Sequence, residues 1–241
     1  MADDKFMLGH RNADWTGLAP ILEEDIAFSA LAQDELAHAQ ALYQMAGGIL
    51  GIKPDQLAFG RQAEEYRCAQ IVELSDQFNW ARALARNFFC DHFDALRLGR
   101  LAQSSYAPLA QLGARLAAEE QIHVDHVDTW MQRLGRGGQD SCARMQAALD
   151  ELSLLAPMLL EPTPGLQALE EEGVYPNVEG GSFERWSRAL AHVARAAGLN
   201  LQLQPPPDNA LGGRRGRHSP AFAALLDELT EVYRLEPEAA W

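Results

Sequence analysis

One four-residue pattern, Glu-x-x-His, occurs twice in this chain, as Glu35-Leu36-Ala37-His38 and as Glu120-Gln121-Ile122-His123. Residues at i and i+3 share a helix face, so each copy aims a carboxylate and an imidazole the same way. One copy is common on any polar helix face. Two copies, each inside a long segment rich in Ala, Leu, Glu and Gln, demand a fold that turns the polar faces of two separate helices inward.

The rest of the chain supplies the helices such a fold needs. An N-terminal segment to about Trp15 is read as a short helix with Phe6, Met7 and Leu8 partly buried. The pattern predicts a long helix over 22–45, ended by Gly47-Gly48, and one helix or two short ones over 56–75. A third long helix covers 78–101 and carries Asp91 and Asp94, and Pro108 opens a fourth that runs to 134 before Gly135, Gly137 and Gly138. A fifth helix is placed over 141–160 with Ser141 as its N-cap, ending before Pro162 and Pro164. After an irregular stretch rich in glycine come a helix over 183–197, the stiff Pro205-Pro206-Pro207 break and a compact basic loop, Gly212-Gly213-Arg214-Arg215-Gly216-Arg217-His218. A last amphipathic helix spans 220–233, and no segment alternates as a strand would. The expectation is an all-α chain with a single domain, a core bundle over about 1–160 and a C-terminal helical extension over about 161–241.

Composition removes whole classes of function. A length of 241 residues can bury a sizeable core, and a net charge of -14 opposes nonspecific nucleic-acid or anionic-membrane binding. The three cysteines, Cys68, Cys90 and Cys142, lie far apart without a C-x-x-C spacing, which indicates neither a disulfide framework nor a zinc site. No stretch is apolar enough to span a bilayer and the N-terminus lacks a signal pattern, so a soluble cytoplasmic protein is expected.

Ferritin-like di-metal bundles combine one Glu-x-x-His on each of two helices with one carboxylate from each of the other two. The predicted fold class is therefore all-α, a ferritin-like four-helix bundle with additional C-terminal helices. Asp91 is the candidate carboxylate of the third helix. The step that separates Asp91 from Glu120, taken back from Glu35, ends at Phe6, and a one-residue difference in loop length puts Lys5 where a fourth carboxylate belongs. A lysine there repels a metal on its side and can stand in for the missing cation, because buried carboxylates are costly unless paired. The expected site is a degenerate one holding one iron at most, or none, with Asp4 as the carboxylate that a one-residue slip would substitute. Glu35, His38, Asp91, Glu120 and His123 form either a metal site or an inherited, empty polar core. Glu24, Asp25, Asp34, Asp94, Glu119, Asp125 and His126 are read as solvated or structural.

Over most of its length the chain resembles the subunits of bacterial phenylacetyl-CoA 1,2-epoxidase, a multicomponent monooxygenase of phenylacetate degradation. Gln33-Asp34-Glu35-Leu36-Ala37-His38, Asp91, Ser105-Tyr106-Ala107-Pro108 and Glu119-Glu120-Gln121-Ile122-His123 are similar to motifs of the catalytic A-type subunit. Carried without gaps through Trp15 and Pro20, that pattern puts its first glutamate ligand at Lys5. The chain length, Ala19-Pro20-Ile21-Leu22-Glu23-Glu24-Asp25-Ile26-Ala27, Gln56-Leu57-Ala58-Phe59, the basic loop 212–218 and the terminal Trp241 resemble instead the C-type subunit. The C-type resemblance implies a ferritin-like structural partner without a functional di-iron centre, held in a hetero-oligomer with the catalytic and other epoxidase subunits. Retention of Glu35 and His38 departs from that type.

Three functions follow as expectations. The first is a structural subunit of the epoxidase. The second is an oxygenase in its own right that uses iron at Glu35, His38, Asp91, Glu120 and His123. The third is ferritin-like iron oxidation. Arg214 and Arg215 in the basic loop are candidates for an anion contact, such as a CoA phosphate, or for a partner contact.

Overall fold

The computed structural model describes residues 1–177, 179–206 and 212–237, so Pro207 and Trp241 lie outside the described residues. Among the described residues the helices are α1 (Ala2–Ala13), α2 (Leu22–Leu50), α3 (Pro54–Phe59), α4 (Trp80–Leu101), α5 (Ala107–Gly135), α6 (Gln139–Leu152), α7 (Leu166–Glu171), α8 (Ser182–Ala196) and α9 (Phe222–Leu235). Short 3₁₀ turns occupy Ala63–Glu65, Gln70–Val72, Ala156–Leu160 and Gly213–Arg215, and no strand occurs among the described residues. The fold is all-α. Among the described residues no helix is long and apolar enough to cross a membrane. The chain forms two compact units, Met1–Phe78 with Leu211–Trp241, and Asn79–Ala210.

In the first unit α1 packs along α2, and the segment 54–76 with α9 closes around them. Asp3 and Asp4 in the first turn of α1, and His10 and Arg11 in its last, match the positive and negative ends of the helix dipole. Nine of the 12 residues of α1 are nevertheless buried, including Asp3, Asp4, Lys5, Arg11 and Asn12. A helix this short with so many buried polar groups needs fixed partners, since each one left unpaired costs about 1–3 kcal/mol. On α2 the buried residues are Glu24, Phe28, Leu31, Ala32, Glu35, His38, Ala39, Leu42, Tyr43 and Gly47, a stripe that advances by three or four residues per turn. Glu35 and His38 fall on that stripe.

In the second unit α4 is the central helix, with α5, α6 and α8 packed against it. The Asn79 side chain caps its start by accepting from the Arg82 backbone N–H at 3.4 Å. Trp186 on α8 is 1% exposed and donates from Nε1 to the Phe89 carbonyl at 3.1 Å, with its ring against Phe89 and Phe93. An aromatic ring buried this way contributes roughly 1.5–3 kcal/mol by area alone, and its satisfied N–H keeps that gain. The buried stripe of α5 runs Gly113, Leu116, Glu120, His123, Val124, Val127 and Met131.

Several boundaries differ from the sequence expectation for physical reasons. Helix α2 passes through Gly47 and Gly48 to Leu50 and stops at Gly51, whose φ of 69° is left-handed and whose N–H bonds to the Gly47 carbonyl. Glycine within a helix weakens it without ending it; the left-handed residue ends it. The expected fifth helix begins at Gln139 behind the N-cap Gly138, and Ser141 lies inside it, donating to the Leu134 carbonyl at 2.7 Å. It also ends early, at Leu152. The remainder, Ala156–Leu160, is 3₁₀ and contains Pro157, which an α-helix interior rejects. A single helix over 56–75 does not form, and α7 lies in the stretch expected to be irregular.

Candidate functional site

Each unit carries one Glu-x-x-His copy, and the partners it meets differ. In the first unit α1 comes close to α2 at Gly9, where an added Cβ would lie 2.9 Å from Leu36 Cγ and 3.0 Å from Glu35 Cβ. Lys5 stands one turn earlier on the same face, so this close approach delivers its side chain to the motif. Lys5 Nζ donates to Glu35 Oε1 at 2.9 Å, and both side chains are sealed from solvent at 0% and 1% exposure. His38, buried one turn on, completes the copy. This half therefore already contains the cation that its carboxylate needs, and a metal ion there would meet a fixed ammonium.

In the second unit the same pattern meets a carboxylate. Asp91 on α4 and Glu120 and His123 on α5 are all buried, and each offers one ligand atom within 4.8 Å of the others. Glu120 Oε2 lies 3.8 Å from His123 Nδ1, a spacing suited to shared coordination rather than to a direct hydrogen bond. Two carboxylates and one imidazole make a hard donor set of the kind that takes a single divalent iron or manganese ion. One turn before Asp91, Asn87 is also buried and its side-chain amide has no hydrogen-bond partner among the described residues. No sequence pattern singles out Asn87, because its cue is burial and not spacing. Asp94, on the same helix, is engaged by Arg97 Nε at 2.6 Å.

A complete two-iron centre does not fit this pattern, since its charge would have to be balanced by four carboxylates and the position facing Glu35 holds Lys5. Asp4 does not substitute. Both its oxygens accept from Arg214 Nη1, at 2.7 and 2.6 Å, and Oδ1 also accepts from the Ala69 backbone N–H at 2.8 Å.

Over its whole length, residues 1–241, the chain matches the phenylacetic acid catabolic protein family. It belongs to that family. It is also 29% identical to the C-type subunit of the 1,2-phenylacetyl-CoA epoxidase of Escherichia coli (strain K12), over all of this chain and 96% of that protein.

In this family member the basic loop is largely structural. Arg214 is 3% exposed, and its Nη1 donates to Asp4 and to the Arg67 carbonyl. Arg215 is exposed and keeps its candidacy as an anion or partner contact. Asp3 is held in a second buried network. It accepts from the Tyr43 hydroxyl at 2.6 Å, from Arg61 Nη1 at 3.1 Å and from the Arg67 backbone N–H at 2.6 Å. Burial raises the Asp3 carboxyl, but the hydrogen bond and charge of Arg61, helped by the N-terminus and Tyr43, outweigh it and hold Asp3 below its ordinary value. From sequence, Asp3 and Asp4 look like ordinary acids of a first helical turn. Their long-range arginine partners leave no local signal.

Proposed function

We propose that this chain is the C-type, structural subunit of a phenylacetyl-CoA 1,2-epoxidase, bound to the catalytic di-iron subunit and contributing no iron pair of its own. The observation that carries this reading is the buried Lys5–Glu35 pair, which supports a lysine standing in for a metal ligand on that side of the bundle. The relationship to a C-type epoxidase subunit supports the assembly and the substrate class. An exposed apolar run, with Leu18 at 55%, Leu22 at 70% and Ile26 at 64%, supports a docking face on the first unit, Leu22 and Ile26 lying on one side of α2.

Mixing the chain with the catalytic subunit at micromolar concentration tests this. A single heteromeric peak in gel filtration is expected, and Leu22→Glu with Ile26→Glu should weaken the complex at least tenfold while the isolated chain stays folded. Separate elution of the two wild-type chains contradicts the assignment. A second reading keeps one divalent ion at Asp91, Glu120 and His123, favoured by the convergence of those three ligand atoms. Iron bound there would supply Lewis-acid or redox chemistry, and Glu120→Gln would abolish its uptake without disturbing the heteromer.

A further inference from the structure

Away from both Glu-x-x-His copies, the first unit brings together three different ligand types from two distant parts of the chain. Cys68 and Glu73 flank the Gln70–Val72 turn, and His218 closes the basic loop. Cys68 Sγ lies 3.7 Å from Glu73 Oε1 and 3.9 Å from His218 Nδ1, and His218 Nδ1 lies 2.6 Å from Glu73 Oε1. Cys68 and Glu73 are fully buried, and the His218 side chain is 6% exposed. We propose that Cys68, Glu73 and His218 form a zinc-binding site that clips the loop 212–219 onto the segment 68–73.

Tetrahedral zinc with bonds of about 2.3 Å to sulfur and about 2.0–2.2 Å to nitrogen and oxygen sets its ligand atoms about 3.3–3.6 Å apart. The two distances to sulfur are already within a few tenths of an ångström of that spacing. Only the Glu73–His218 contact has to open, by roughly 0.7 Å, a small movement for a carboxylate at the end of a side chain. Zinc displaces the Cys68 thiol proton on binding; the resulting thiolate, the Glu73 carboxylate and a neutral His218 imidazole then balance the charge of the divalent ion, and one water fills the fourth tetrahedral position.

The surroundings hold each ligand. The second Glu73 oxygen accepts from the Ser219 backbone N–H at 2.6 Å, the His218 ring stacks on Phe222 at 3.8 Å, and Arg11 Nη2 donates to the Glu73 carbonyl at 2.7 Å. Gly213 explains how the loop comes so near. A Cβ there would collide with the Cys68 carbonyl oxygen and lie 3.2 Å from Glu73 Oε1, so no other residue can occupy that position without moving the backbone beside the ligands. The donor set contains a thiolate, unlike the all-oxygen-and-nitrogen sets of the two helix motifs, and this selects zinc over iron.

The test is zinc content of the full chain after zinc loading, removal of loosely bound metal with a mild chelator, and desalting. One zinc per chain is expected in the wild type and in Glu120→Gln, with loss of that equivalent in Cys68→Ser and in His218→Gln. Substoichiometric zinc in the wild type, or zinc that depends on Glu120 and not on Cys68, overturns the site. Cobalt(II) loading of the unmutated protein gives a second readout that does not rely on the variants folding. A thiolate-to-cobalt charge-transfer band is expected, and its absence leaves Cys68, Glu73 and His218 as a hydrogen-bonded cluster and overturns the proposal.

Discussion

Helices α2 and α5 are both 29 residues long, and each buries a Glu-x-x-His copy within a stripe of apolar side chains. The side chain that the neighbouring helix presents to each copy differs. Against α2 lies α1, which presents Lys5; against α5 lies α4, which presents Asp91. The motif fixes where a carboxylate and an imidazole are buried, while the neighbouring helix decides what they meet: the Lys5 ammonium beside Glu35, and a further carboxylate, Asp91, beside Glu120 and His123. A metal-binding signature in one helix is therefore only half of a functional statement.

The largest effect that would break this comparison is expected from Lys5→Met. Leaving Glu35 buried without its cation should cost roughly 3–5 kcal/mol in urea unfolding, while Lys5→Met combined with Glu35→Leu should recover most of that loss. A single-mutant loss below about 1 kcal/mol would show that the pair is not what neutralises the first copy. Smaller, at roughly 1–3 kcal/mol, is the cost expected for Gly9→Ala, measured the same way, because the added Cβ forces α1 away from Leu36 and Glu35.

The smallest effect concerns pH and the buried network around Asp3. Burial, partly offset by Arg61, pushes the Tyr66 phenol up to about 12, and burial and the Asp3 charge push Tyr43 well above its ordinary value. The folded chain thus keeps protons that the unfolded chain releases. Stability from these groups is fully present below pH 10 and falls as pH rises through about 12, so the unfolding midpoint should decline across that window. Phenylalanine at position 66 should flatten the decline. An unchanged alkaline slope in Tyr66→Phe would place the titrating groups elsewhere.

How much of this was legible in the sequence depends on the range of the interaction. The stripes that bury Glu35, His38, Glu120 and His123 repeat every three or four residues and could be read directly, as could the long helices α2, α4 and α5 to within a few residues at most ends. Counting between the two copies pointed to Lys5, and the structure sets its Nζ 2.9 Å from Glu35. The Asp4–Arg214 pair spans 210 positions and the Glu73–His218 contact 145, and no periodic pattern encodes either. For that reason Asp4 looked like a spare carboxylate and Arg214 like an exposed cation, when each is the other's buried partner. The early end of the fifth helix was written locally at Pro157, but the helical composition on both sides masked it.

The central claim is that Lys5 occupies one metal position. It is tested most directly by counting iron bound per chain after anaerobic ferrous loading and desalting, in the wild type and in Lys5→Glu. The account predicts one Glu120-dependent iron or none in the wild type, and a gain in Lys5→Glu, where the fourth carboxylate is restored. Two irons in the wild type, both lost with Glu120→Gln, would contradict it.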